Sequence, residues 1–216
     1  MPRVLPSTVA AVVEHELVVS RSRFITTVTP VAGIEDADHA VAEVRRRFWD
    51  ARHNCVAMVT GVLGDQARSS DDGEPSGTAG VPMLEVLRRR DLTDLVVVVT
   101  RYFGGVKLGA GGLVRAYSTS VSEALDRAVV VRRVELTRVD VTAPHADAGR
   151  IDNVLRQWVQ QHGATFDDPT YGAAVTFTLW VPHGELEALR ADLAAASAGA
   201  LAPVVGAARV VDLLTP

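Results

Sequence analysis

Residues 95–117, LVVVVTRYFGGVKLGAGGLVRAY, carry the strongest structural instruction in the chain. Five consecutive aliphatic residues, Leu95 to Val99, predict a strand buried on both faces. Five glycines follow, at 104, 105, 109, 111 and 112, and then Leu113, Ala116, Tyr117, Ser120, Val121, Ala124 and Leu125 recur on one face of a long helix. A strand that leaves through glycines into a helix offers close backbone approach and unpaired helix N–H groups, the physical basis of an anion site. Neither familiar nucleotide motif fits. Ala110 stands where a P-loop needs lysine, and Val114 stands where the dinucleotide pattern needs its third glycine. The glycines are therefore read in two ways, as a phosphate cradle or as a tight turn beneath a packed helix.

Working outward, residues 12–19 and 24–31 alternate as an opening hairpin. Ala37, Ala40, Val41, Val44 and Phe48 mark an amphipathic helix that ends in Arg45–Arg47. Residues 54–60 read as a strand, and 64–80 (GDQARSSDDGEPSGTAG) as a polar loop of unusual length. A short helix follows over 83–87, with Ser76 or Thr78 as its cap and Pro82 in its first turn. Beyond residue 130 the pattern becomes strand 134–142, helix 147–161, strands 164–167 and 173–181, helix 184–197 and strand 204–213. That βαββαβ order is the ferredoxin-like arrangement. The reading is an α+β chain of two domains, 1–132 and 133–216.

Composition narrows the function. With 48% hydrophobic residues over 216 positions, each domain can bury a core. The longest aliphatic run falls far short of the ~20 apolar residues of a membrane-crossing helix, so no membrane partner is expected. Pro6, Ser7 and Thr8 interrupt the mildly apolar start, which reads as a mature N-terminus. Cys55 is the sole cysteine, which excludes an internal disulfide framework and points to the cytoplasm. Net charge is −4, against a generic nucleic-acid coat. Its distribution is uneven: 16 basic and 16 acidic residues up to Arg132, then 6 and 10. Between Asp94 and Glu123 no carboxylate occurs, while Arg101, Lys107 and Arg115 do.

Those three cations suit phosphate contact, with Tyr102, Phe103 or Tyr117 available to stack on a base. The anion-binding set expected from the sequence is Arg101, Tyr102, Gly104, Gly105, Lys107, Gly111, Gly112, Arg115 and Tyr117. The loop residues Asp71, Asp72, Glu74, Ser76 and Thr78 form a neighbouring wall. Internal pairing of the cations with this acidic loop is the competing reading. Asp71, Asp72 and Glu74 also admit a divalent metal or an acid/base pair, although EF-hand spacing is absent. His53 and Cys55 share one strand face, either as a buried thiol beside a structural histidine or as a reactive pair.

Four stretches resemble the YigZ/IMPACT family, in particular its bacterial two-domain members: RSRFIT at 21–26, ARHNCVA at 51–57, DDGEPSGTAG at 71–80 and VVVTRYFGGVKLGAGGLVRAY at 97–117. The resemblance implies a first domain like domain IV of elongation factor G, a ribosomal-protein-type fold, and a ferredoxin-like second domain akin to that factor's domain V. Those relatives work on ribosomes. Eukaryotic members act in translational control under amino-acid starvation, through a pathway that bacteria lack. The expectation is a non-enzymatic regulator or accessory factor of translation with no cofactor, binding RNA, the ribosome or a ribosome-associated partner. The alternative is a metal-dependent hydrolase or phosphotransferase using His53, Asp72 and Glu74. The sequence does not set the oligomeric state.

Overall fold

A two-residue turn sets the first sheet. Ser20 and Arg21 both take positive φ, 47° and 67°, the paired left-handed conformation of a tight hairpin turn. The computed structural model describes residues 5–214. In chain order the elements begin with β1 (Thr8–Val9), β2 (Val13–Val19), β3 (Ser22–Pro30), α1 (Ile34–Arg47), β4 (His53–Thr60) and β5 (Gln66–Ser70). They continue with α2 (Gly80–Arg89), β6 (Leu95–Tyr102), α3 (Gly109–Leu125) and β7 (Val130–Ala143). The remainder are α4 (Ala148–His162), β8 (Thr165–Phe166), β9 (Thr170–Tyr171), β10 (Val175–Pro182), a 3-10 turn (His183–Glu185), α5 (Leu186–Ser197) and β11 (Val204–Leu214). Among the described residues, Leu5–Arg132 form one compact unit and Arg133–Asp212 another.

The first unit is built on a five-stranded sheet in the order β2-β3-β6-β4-β5. Central β6 is buried along Leu95–Arg101 because both faces are covered. Val97 and Val99, with Phe24, Cys55 and Ala57, pack beneath α2 and α3 through Met83, Leu87, Leu113 and Val121. Val96 and Val98, with Val56 and Met58, pack beneath α1 through Ala37 and Val44. The short β1 pairs with Val130 and Val131 at the start of β7. In the second unit the strand order is β11-β7-β10-β8, with β9 also on β10. There α4 and α5 supply Ile151, Leu155, Trp158, Leu189 and Leu193 to a core under Val139, Val141, Phe177 and Leu179.

Two expectations are corrected. The loop predicted over 64–80 is shorter, because residues 66–70 form β5, pairing with Val56–Thr60 of β4. QARSS lacks apolar alternation because its residues are half to fully exposed on an edge strand, so the pairing comes from the open backbone of β4. Helix α2 starts at Gly80, and neither Ser76 nor Thr78 caps it; Thr78 Oγ1 donates instead to the Pro75 carbonyl at 2.6 Å. The cap comes from Asp71. Its Oδ1 accepts from the backbone N–H of Ala79 (3.0 Å) and Gly80 (2.8 Å), and its Oδ2 from that of Gly77 (2.8 Å). A carboxylate reaching across the loop thus satisfies donors that the helix itself leaves free.

Candidate functional site

The alternation of β6 decides which of its residues reach the surface. Val97, Val99 and Arg101 point toward α2 and α3, and Arg101 stands in register between Phe24 of β3 and His53 of β4. Its guanidinium therefore closes the end of the core. Arg101 Nη1 donates to Glu74 Oε1 at 2.6 Å, and the phenol of Tyr117 donates to the same oxygen at 2.8 Å. The Phe24 and Phe103 rings lie 5.3 and 5.8 Å from the guanidinium carbon. Burial and the neighbouring Cys55 and Glu74 push the Tyr117 phenol well above its ordinary range, so it stays a donor.

The thiol of Cys55 lies 3.3 Å from the Tyr117 hydroxyl and 3.0 Å from the Asp71 carbonyl oxygen. Desolvation raises it to about 12. Fully buried and held neutral, the thiol fits the reading of a core cysteine beside a structural histidine. His53 Nδ1 is 2.8 Å from the Asp72 carbonyl oxygen, contacting that residue's backbone rather than its carboxylate. Asp72 Oδ1 accepts from Arg45 at 3.0 Å and Oδ2 from the Asn54 N–H at 2.6 Å. Each carboxylate of the acidic loop thus serves the fold: Asp71 caps α2, Asp72 ties the loop to α1 and β4, and Glu74 neutralises Arg101. Among the described residues no group of three or more His, Cys, Asp or Glu is arranged to hold a metal ion.

Above this network lies an exposed surface. Gly104 is locked against the hairpin turn: a Cβ there would sit 2.0 Å from the Arg21 carbonyl carbon, and its N–H donates to Ser22 Oγ at 3.2 Å. The chain then runs out through Gly105 (φ 84°) and Gly109 (φ 68°) into α3, whose first turn holds no acidic residue and no side-chain cap. Phe103 and Val106 are exposed, as are Lys107 and Arg115. Leu17, Val19, Leu108, Gly112, Arg115, Ala116 and Thr119 line a groove of about 400 Å³. The Arg21 backbone abuts Gly104 at the glycine turn, and Lys107 lies in the same turn, just before α3. Among the described residues, Arg21, Lys107 and Arg115 have no ion-pair or hydrogen-bond partner.

The sequence set is therefore split. Lys107, Arg115, Gly105, Gly111 and Gly112 fall on this surface or groove. Arg101 and Tyr117 do not, because sheet parity and the apolar face of α3 turn them inward. Tyr102 is half-buried; its hydroxyl donates to Asp50 Oδ1 at 2.7 Å, and Arg23 stacks 5.6 Å from its ring centre. Phe103 is the aromatic left open. Arg21 was absent from the set, and the turn that delivers it could have flagged it: a cation in a two-residue hairpin loop projects outward.

Residues 20–125 match the Impact N-terminal domain family, and residues 141–200 match a domain of unknown function, DUF1949. The chain is 49% identical over 144 residues to IMPACT family member YvyE of Bacillus subtilis strain 168, covering 67% of this chain and 66% of that protein. It is 37% identical over 199 residues to IMPACT family member YigZ of Escherichia coli strain K12, covering 91% of this chain and 94% of that one. A crystal structure described only as that of a hypothetical protein superposes with a TM-score of 0.61 at 35% identity, over 94% of this chain and 97% of its own.

Proposed function

This chain belongs to the IMPACT family, and we propose that it acts as a non-enzymatic accessory or regulatory factor of translation that engages RNA on or around the ribosome. The observation that carries this reading is that Arg21 and Lys107, at the glycine turn, and Arg115, on α3, are exposed and have no partner among the described residues, along with the open Phe103 ring and the bare first turn of α3. Cations without internal partners are free to neutralise phosphate, and an exposed ring can take a base. The loop carboxylates that an enzymatic reading would use are already engaged in structural hydrogen bonds.

We read the first unit as similar to domain IV of elongation factor G. The second unit is read as ferredoxin-like, supported by its strand order with the two central strands flanked by β11 and β8. Cytoplasm is the proposed compartment.

The test is binding to ribosomes and to structured RNA across a salt series, comparing wild type with the double change Lys107→Ala and Arg115→Ala. Three phosphate contacts give a slope of log K against log salt of about −2 to −3, and the double variant retains roughly a third of it. Both substitutions lie on the surface and leave stability within about 0.5 kcal/mol. Equal binding by the two proteins, or none by either, overturns the proposal.

A further inference from the structure

Strand β2 is the edge of the five-stranded sheet, paired only with β3 among the described residues. The tight turn closes on the Val19–Ser22 pair, so antiparallel alternation directs the backbone N–H and C=O groups of Glu14, Glu16 and Val18 away from β3, into solvent. Beside this row of open hydrogen-bonding groups runs the groove between β2 and α3, with Leu17, Val19, Leu108 and Ala116 on its walls and Gly112 giving it depth. At one end the His15–Glu123 pair, 2.7 Å apart, bridges β2 to α3. Arg115 stands at the lip with no partner among the described residues, in a stretch without a single carboxylate from residue 95 to 122.

We propose that this edge and groove form a docking site for an extended peptide of another protein, which adds as a strand to β2, seats an apolar side chain in the groove and sets a carboxylate against Arg115. Strand addition supplies the backbone bonds, and the pocket beside it reads alternate side chains, which lie about 7 Å apart on one face of a strand. The charge at the lip selects an acidic residue at a position in register with the apolar anchor. A second copy of this chain is a poorer occupant. Self-pairing of β2 would set Glu14 and Glu16 of two copies against one another, and it would leave Arg115 with no carboxylate to meet. The site goes beyond the RNA reading: it uses the strand edge and groove, shares only Arg115 with the phosphate surface, and does not need Lys107.

The experiment uses the full chain and a small set of labelled heptapeptides of the pattern Thr-X-Thr-X-Thr-Asp-Thr, with X drawn from Val, Leu, Ile and Phe. Affinity is read by fluorescence anisotropy, and site occupancy by protection of the Glu16 and Val18 amides in NMR hydrogen exchange. At least one peptide binds and protects both amides. Replacing its Asp by Lys weakens binding by roughly tenfold. Val18→Pro, which removes an outward N–H from an edge strand, abolishes peptide binding, as does Thr119→Trp, which fills the groove from α3. RNA binding survives Val18→Pro, whereas Lys107→Ala lowers RNA binding and leaves the peptide alone, so the two readings fail separately. The proposal is overturned if no peptide binds more tightly than about 1 mM. It is equally overturned if the Lys peptide binds as well as the Asp peptide, if Val18→Pro keeps full binding, or if the amides are protected by self-association without peptide.

Discussion

The guanidinium of Arg101 and the carboxylate of Glu74 meet at 2.6 Å with side-chain exposures of 7% and 4%. A charge pair this deep is held because each partner answers the other, and Tyr117 adds a hydrogen bond to the same oxygen. It joins the loop between β5 and α2 to the end of β6, directly beneath the glycine turn. Glu74→Ala should therefore leave Arg101 buried without a counter-charge and cost about 3–5 kcal/mol in urea unfolding. The double change Glu74→Leu with Arg101→Met should recover most of that loss. A single variant within about 1 kcal/mol of wild type would remove the pair from the account of stability.

Asp71 gives a pH signature. Desolvation pushes its carboxyl up, but the N–H groups of Gly77, Gly80 and Ala79 together hold it below the ordinary carboxylate value. A folded pKa below the unfolded one contributes stability that is complete above the unfolded value and is lost as pH falls through the folded one. Wild type should exceed Asp71→Asn by about 1 kcal/mol at neutral pH. The gap should narrow below about pH 4. Chemical denaturation of both proteins from pH 7 to pH 3 measures it, and a gap that widens in acid contradicts the cap.

Cys55 should be silent to thiol reagents in the folded protein. Burial raises its thiol to about 12, so at pH 8 almost none is thiolate, and the side chain has no exposed surface. Alkylation by iodoacetamide should proceed only in denaturant, at the rate of a free cysteine. Rapid labelling under native conditions would show that the loop 71–79 opens.

The glycines divide into those the fold needs and those it does not. Gly104→Ala drives a Cβ into the backbone of Arg21 and Ser22 and should cost at least about 1–3 kcal/mol. At Gly111, in the first turn of α3, a Cβ meets nothing within 4 Å and φ is not left-handed. Gly111→Ala should stabilise the protein by about 0.5–1 kcal/mol. If that glycine serves close approach of phosphate to the helix start, the stabilised variant binds RNA more weakly. Unchanged binding would assign Gly111 no part in recognition.

The sequence alone located the helices and the longer buried strands, though not the two-residue β1 and β9, because burial on one or two faces writes a period of 3.6 or 2 into the chain. The run 95–99 announced a central strand, and 113–125 announced the helix that covers it. Those same periods already held the fate of two candidate residues. Arg101 continues the parity of Val97 and Val99, and Tyr117 sits on the apolar face shared by Leu113 and Val121, so both were bound to turn inward. Local charge and aromatic character made them look like ligands. Strand β5 and the Asp71 cap were not legible, since a polar edge strand carries no alternation and a cap reaching across eight or nine residues has no fixed spacing. Which cations remain free was decided only in three dimensions. Glu74 takes Arg101, Glu16 takes Arg23 and Glu14 takes Arg47, while Arg21, Lys107 and Arg115 are among the cations without a partner among the described residues, because pairing depends on which loops the sheet brings within a few ångströms.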